Sequence, residues 1–551
     1  MVKQNQAINE SDLPIAVIDA ETDPFKHGRI PKPFLWGFYD GTTYEEYSDT
    51  NELAERVAGF EGIVYAHNGG KFDFHFLLEK FERCKPIMLI NGRIVKANIG
   101  KAQIRDSYAL LPAPLSAYKK DDIDYKIFEA RERGKPQNKL LISQYLKTDC
   151  VYLYDLIKAF IDQHGLALTQ AGASMVKWEE ISGEKAPQSS KGFFEEFSQF
   201  YFGGRVEVFK AGSIPGPHKL YDIRSAYPRA MLEPHPYKLN YTVLNKPSLD
   251  KLDDNSFIIV RCISNGALPY RENHKIYFPN DDEVREFHCI GHEFFNGLSL
   301  GLIRNFTILK AYNFLLKRDF KDYIQPLYMT RLEAIEKIDL IEAGKLDDNL
   351  DHWLRVKLFT KLLMNSLYGK FGSNPDNYGH YLLAPDQYVL DDFPGYEQYA
   401  QLGEIDALTK PLDDAEKRFY NVATAASITS WVRAYLLKSI TTSKDVLYCD
   451  TDSILCADFS GPLGKELGDW QHEEDVVESW IAGKKMYALK TSKNKWKTAS
   501  KGVRLEASDI KKMCSGETIF FKPEAPTFSL KKDAVFTQRS VKMLDAIKAK
   551  V

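Results

Sequence analysis

No stretch of this 551-residue chain stays apolar over the roughly 20 residues that a membrane-spanning helix needs, so helical embedding in a membrane is not expected. The opening residues, MVKQNQAINESDLP, lack the apolar core of a secretory signal, and an intracellular protein is expected. The seven cysteines (Cys84, Cys150, Cys262, Cys289, Cys449, Cys456 and Cys514) form no CxxC pair and are odd in number. A disulfide framework or a structural zinc site is therefore disfavoured. Excess positive charge is missing too: at a formal −3, any nucleic-acid binding must come from local basic patches. Long repeats and low-complexity tracts are absent. What remains is a globular composition, 44% hydrophobic and 27% charged. At roughly 150 residues per domain, the length calls for more than one domain.

Up to about residue 165 the chain alternates strand-like runs (IAVIDAE, GIVYAHN) with amphipathic helical patterns (FDFHFLLEKFERC, LLISQYLKTDCVYLYDLIKAFI), an α/β module. A polar connection, GASMVKWEEISGEKAPQSSKG, follows. Beyond it, strand-like HKLYDI and DVLYCD lie far apart, separated by long helical patterns in DHWLRVKLFTKLLMNSLYGKF and NVATAASITSWVRAYLLKSI, an α+β arrangement.

In LYCDTDSIL, Asp450 and Asp452 stand one residue apart between apolar runs. Like charges that close need a raised pKa or a bound cation, although Asp, Thr and Ser also suit the tip of a polar hairpin. In KLFTKLLMNSLYGKFG, Lys357, Lys361, Asn365 and Tyr368 share one narrow helical arc, and apolar residues cover the rest. Such a stripe is either solvated or borders a cleft for an anion such as a triphosphate. In KLYDIRSAYPRAML a strand ends at Asp222, and Pro228 holds Tyr227 near the turn beyond it.

The first module adds Asp19 and Glu21 on one strand face in VIDAET, Asp73 in AHNGGKFDF, and Tyr145 and Asp149 at i, i+4 in YLKTD. Each piece alone is ordinary surface decoration. Together DIRSAYP, KLLMNSLYG and YCDTDS, in that order, resemble motifs A, B and C of family B DNA polymerases. The N-terminal pieces resemble the three motifs of a DEDDy 3′–5′ exonuclease. Within family B, ETDPFKHGRIPKPFLWGFYDG, YAHNGGKFDF and RDSYALLPAPLSA are most similar to the protein-primed branch, and within it to polymerases of tailless, membrane-containing phages (tectiviruses).

The resemblance implies an RNase H-like exonuclease domain (1–165), a connection (166–205) carrying a YxGG-like motif, and palm, fingers and thumb (206–551). It implies two-magnesium sites, with manganese as a substitute, held by Asp222 and Asp452 in one domain and by Asp19, Glu21, Asp73 and Asp149 in the other. Asp450 would act less directly, and Tyr145 would position the attacking water. Tyr227, Lys357, Lys361, Asn365 and Tyr368 would meet the incoming nucleotide. DNA contacts are implied for Asn68, Phe72, Ser107 and Lys120, for Tyr201, Gly203 and Gly204, for Thr429 and Arg433 in TSWVR, and for Lys485 and Tyr487 in KMY. Tyr108 and Ala226 stand where many relatives have leucine.

Further expectations are DNA and dNTPs as substrates, a host-cytoplasmic location, and a monomer or a heterodimer with a terminal-protein primer. Insertions at about 275–350 and 372–420 would embrace that protein and the downstream template. The first is read as a polar protein interface, with a solvated helix pair as the alternative, and the second as a loop that closes over DNA. DTDSI also resembles the nucleophile motif of haloacid dehalogenase-type phosphohydrolases, but that motif opens its domain. A catalytically dead nucleic-acid binder would have lost carboxylates that are all present here. An ordinary primer-extending polymerase remains the alternative to protein priming.

Overall fold

The run IAVIDAET forms a strand, Ile15–Thr22, inside a seven-stranded sheet. It pairs antiparallel with Pro33–Tyr39 and parallel with Ile63–Ala66, which runs parallel to Ala102–Asp106. The chain is described by a computed structural model over residue 10 and residues 13–114 and 123–543. Alternation along the strand sorts its side chains between two cores. Ala16 and Ile18 meet Leu53, Ala54 and Val57 of the helix Thr50–Ala58. Ile15 and Val17 meet Leu146, Cys150 and Leu153 of the helix Pro136–His164. The same period of two sends Asp19 and Glu21 towards the long helix that carries Tyr145 and Asp149. That helix starts on a proline, whose missing N–H costs nothing there, and stops at Gly165, whose φ of +77° suits a residue without Cβ. FDFHFLLEKFERC does not form the expected α-helix. Residues Asp73–Lys80 are 3₁₀, which eclipses Phe74 and Leu77 so that both enter the core.

The second seven-stranded sheet is antiparallel throughout, with Gly212–Ile223 between Ser453–Asp458 and Trp470–Gly483, and Lys444–Asp450 beyond Ser453–Asp458. Tyr221, Ile223, Cys449 and Ile454 share a core with Ile428, Val432 and Leu363, on the helices Val422–Thr442 and Leu350–Phe371. Leu220 and Tyr448 pack on the opposite face. Asp222 and Asp450 have their parity, so both face away from the helices. Val422–Thr442 is apolar or small nearly all round, as a helix buried on every side must be. One apolar cluster runs from Ile15 and Phe160 to Phe359 and Trp470, and the rings of Phe160 and Phe359 lie 5.1 Å apart. The two sheets are thus joined through a common core.

Both insertion readings need correction. The sheet unit after Asp222 starts earlier than 275: Tyr241–Asn245, Arg304–Phe314, Phe257–Ile263 and Arg285–Ile290 form a four-stranded sheet beside the helix Gly291–Ser299. The segment read as a polar protein interface forms the helix Lys321–Glu342, which pairs with Leu350–Phe371 as a hairpin. Tyr323, Ile324, Leu327, Ala334 and Ile338 are buried, and the Tyr323 hydroxyl donates to the Leu363 carbonyl at 3.0 Å. An amphipathic pattern does not say what covers its apolar face, and here a neighbouring helix does. The second insertion is no simple loop. Gly379–Leu383, Ile405–Pro411 and Glu397–Leu402 form a three-stranded sheet whose Leu383, Leu402, Ile405 and Ala407 enter the core of the N-terminal domain. Cys84 N–H donates to the Leu383 carbonyl at 2.9 Å and Ile87 N–H to that of Tyr381 at 2.7 Å. Among the described residues no helix is long and apolar enough to cross a membrane.

Candidate active sites in two carboxylate clusters

Asp450 ends one strand, Ser453 begins the next, and Thr451 and Asp452 make the turn between them. Thr451 has φ +61°, a strained conformation for a β-branched residue. The turn is tied down by three backbone bonds: Asp452 N–H to Asp450 O at 2.6 Å, Thr451 N–H to Arg205 O at 2.7 Å and Ile223 N–H to Asp452 O at 2.8 Å. Asp222 pairs with Ser453, which pairs in turn with Asp450, so three carboxylates gather at one end of the sheet. Burial, then the Asp452 charge, then Glu473 push the Asp222 carboxyl up to about 7, against the pull of Lys497 and Lys361. Burial and the Asp450 charge raise Asp452 to about 6. Asp450 is held differently: Lys485 Nζ donates to Oδ1 at 2.5 Å and the Tyr448 hydroxyl to Oδ2 at 3.2 Å. Crowded, partly protonated carboxylates are the oxygen-rich donor set that a hard divalent cation favours. Asp222 and Asp452 are donors of the kind a divalent cation takes, and Asp450 is turned towards its lysine.

Beside this cluster Tyr227 and Tyr368 stack, and Lys361 is close enough to act on the Asp222 charge. Lys357 is half-buried on the same stripe, and Asn365 Nδ2 donates to the Lys361 carbonyl at 2.7 Å. Sequence reasoning missed Arg331, whose Nη1 lies 3.4 Å from Ser225 Oγ. Burial lowers its pKa. Within a charged helix it reads as solvated. Glu473 was missed too, because HEED reads as a surface run, yet its strand is the one paired with Asp222.

In the N-terminal domain a cavity of about 880 Å³ is lined by Asp19, Glu21, Tyr145 and Asp149 together with Asn68, Phe72, Arg93 and Tyr108. Asp73 is 3% exposed, and burial and the Asp19 charge push its carboxyl well above the usual range. Asp19, Glu21 and Asp149 thus line one cavity, and Asp73 is near enough to feel the Asp19 charge. Burial, the Tyr125 hydroxyl at 3.4 Å and the Asp149 charge hold the Tyr145 phenol protonated. Arg93, not singled out from sequence, bonds Asp106 and the Asn68 side chain and covers the Tyr108 ring at 4.5 Å.

Of the implied DNA contacts, Ser107, Thr429 and Arg433 are buried, and the others take the places that follow. Ser107 is fully buried and hydrogen-bonds His67 Nδ1 at 3.0 Å, so it supports the cavity wall and does not line it. Thr429 and Arg433 are 2% and 1% exposed. Thr429 Oγ1 donates to the Ala426 carbonyl, and Arg433 pairs with buried Glu293, so neither faces a primer strand. Lys485 is directed at Asp450, and Tyr487 packs against Tyr448. Tyr201 packs against Gly372, where a Cβ would fall 2.5 Å from its ring. Gly203 is exposed, and Gly204 abuts Thr451. Phe72 packs between Phe25 and Phe528. Lys120 lies outside the described residues.

A family model described as DNA polymerase type B, organellar and viral, matches residues 113–445. The chain belongs to this family. It is 35% identical to the DNA-directed DNA polymerase of Enterobacteria phage PRD1 over 96% of this chain and 98% of that one. It is 25% identical to the DNA polymerase of Bacillus phage phi29, over 82% and 83% of the two chains. Phi29 DNA polymerase complexed with primer-template DNA and incoming nucleotides superposes with a TM-score of 0.71 at 18% identity, covering 97% of this chain and all of that one. The expected fold, an RNase H-like exonuclease-type domain followed by palm, fingers and thumb, is that of this type B polymerase. One further group of possible ligands, His380, Asp413 and Glu416, lies on the three-stranded unit of the polymerase and belongs to neither carboxylate cluster.

Proposed function

We propose that this protein is a template-directed DNA polymerase with a 3′–5′ proofreading exonuclease, and that it starts a linear genome from a hydroxyl of a separate terminal protein. The observation that carries the reading is the pair of carboxylate clusters in separate domains. One lies beside a lysine stripe and stacked tyrosines, the other in a cavity lined by aromatic residues.

In the palm, Asp222 and Asp452 hold the magnesium pair. When bound, it activates the attacking hydroxyl and stabilises the leaving pyrophosphate. Lys361, Lys357 and Arg331 neutralise the triphosphate, whose oxygens match their donors. The Tyr227 ring lies under the sugar and fills the space that a 2′-hydroxyl needs. In the exonuclease, Asp19, Glu21, Asp73 and Asp149 hold the metals, and the protonated Tyr145 hydroxyl orients the water. Asn68 and Phe72, which line the cavity, receive the unpaired 3′ end.

Protein priming is supported by the similarity to the PRD1 and phi29 enzymes. A protein hydroxyl replaces the primer's 3′-hydroxyl without change at phosphorus. The test is incubation with magnesium, one α-labelled dNTP and the candidate terminal protein. Covalent label on that protein is expected. Extension of a DNA primer without such labelling would assign the chain to ordinary primer extension.

A further inference from the structure

Tyr201–Arg205, the segment that joins the two domains, is held by three side chains from the stretch after the Asp222 strand. Arg271 Nη2 donates to the Tyr201 carbonyl at 2.7 Å, and its guanidinium covers the Phe202 ring at 4.6 Å. The Phe278 ring lies 4.1 Å from the Arg205 guanidinium. Glu293, in the first turn of Gly291–Ser299, is 1% exposed and takes Arg433 with both oxygens, at 2.7 and 3.0 Å, while Ser430 Oγ donates to it at 2.9 Å. Arg433 spends its remaining nitrogen on the carbonyls of Phe202 and Gly203, at 2.6 and 3.0 Å. A buried ion pair is costly to desolvate and adds little stability over an apolar pair, but it fixes geometry when every guanidinium nitrogen has a partner, as here.

The other side of this segment is the catalytic turn. Thr451 N–H donates to the Arg205 carbonyl at 2.7 Å, and a Cβ on Gly204 would fall 2.7 Å from Thr451 Cγ2. Nothing separates the segment from the residue between Asp450 and Asp452.

We propose that Glu293 is a positioning residue for nucleotide addition. Through Arg433 and the carbonyls of Phe202 and Gly203 it seats Gly204 against Thr451, and Arg271 and Phe278 complete the clasp. The sheet unit that carries Glu293 is thereby joined to the catalytic turn through Tyr201–Arg205. This rests on the polymerase reading above.

The test uses the full-length protein. Glu293→Gln keeps the shape and removes the charge. With a primed template, kcat for single-nucleotide addition should fall about tenfold with the dNTP KM within about twofold, while degradation of a single-stranded oligonucleotide is unchanged. Amide exchange should quicken over residues 448–454 and stay constant over 15–22, a readout independent of activity. Arg271→Ala, at a more exposed position, should shift both in the same direction by less. Gly204→Ala combined with Glu293→Gln should be no worse than Gly204→Ala alone, since both act at one contact. Wild-type kcat and exchange in Glu293→Gln, multiplicative losses in the double variant, or loss of both activities with Arg271→Ala silent would each overturn the clasp. A wild-type protein that adds no nucleotide would instead overturn the polymerase reading, and the exchange data would still judge the clasp.

Discussion

The rings of Tyr227 and Tyr368 lie face to face, centroids 4.3 Å apart and planes 8° from parallel. One stands on the short helix Ala226–Ala230 just after Asp222 and the other on Leu350–Phe371, so the stack joins the Asp222 strand end to the lysine-bearing helix. Burial raises the Tyr227 phenol to about 12, and its hydroxyl stays protonated at any working pH. Replacing Tyr227 with Val opens the space under the sugar. Losing a steric block of this size should raise the ratio of ribonucleotide to deoxynucleotide incorporation by about 10–100-fold. An unchanged ratio in single-nucleotide competition would show that Tyr227 is not the gate.

Lys485 neutralises Asp450 and leaves Asp452 as the free carboxylate of the turn. Lys485→Met should slow nucleotide addition about tenfold, a loss of about 1.4 kcal/mol. Asp450→Asn should largely suppress that loss, because the amide no longer needs a cation. A double-mutant cycle measures the coupling. Additive effects would place Lys485 on the primer strand instead.

Asp222 is pushed up to about 7 in the fold from the usual carboxylate value near 4. The folded state therefore binds the proton more tightly than the unfolded chain, and metal-free stability falls as pH rises from about 4 to about 7. Asp222→Asn removes that penalty. Without metal the variant should be more stable than wild type at pH 8, by on the order of 1 kcal/mol after solvent screening, with the gain vanishing near pH 4. Thermal melts in chelator across this range check it, and a gain that grows on acidification would contradict the sign.

The carboxylates were legible only jointly: a strand-end Asp, a DTD turn and an i, i+4 pair are each ordinary, and it is their occurrence in order, resembling the motifs of family B polymerases and DEDDy exonucleases, that singled them out. The burial of Arg433, singled out only as an implied DNA contact, was not legible, because its partner Glu293 lies 140 residues away. The helix Lys321–Glu342 was legible as a helix, with a helix pair open beside the polar interface, but periodicity gives the apolar face without naming the helix that covers it. In 372–420, aromatic and turn residues masked three short strands whose apolar side chains complete a core built mostly by the other domain.

The central claim is that two chemistries occupy two carboxylate clusters. One 5′-labelled primer–template with a mismatched 3′ end, incubated with magnesium and dNTPs, reports both at once as longer and shorter products. Asp222→Ala and Asp452→Ala should abolish lengthening and leave shortening intact, while Asp19→Ala with Glu21→Ala should abolish shortening and still extend a matched primer. Loss of both activities in every variant, with folding preserved by thermal melt, would contradict the account.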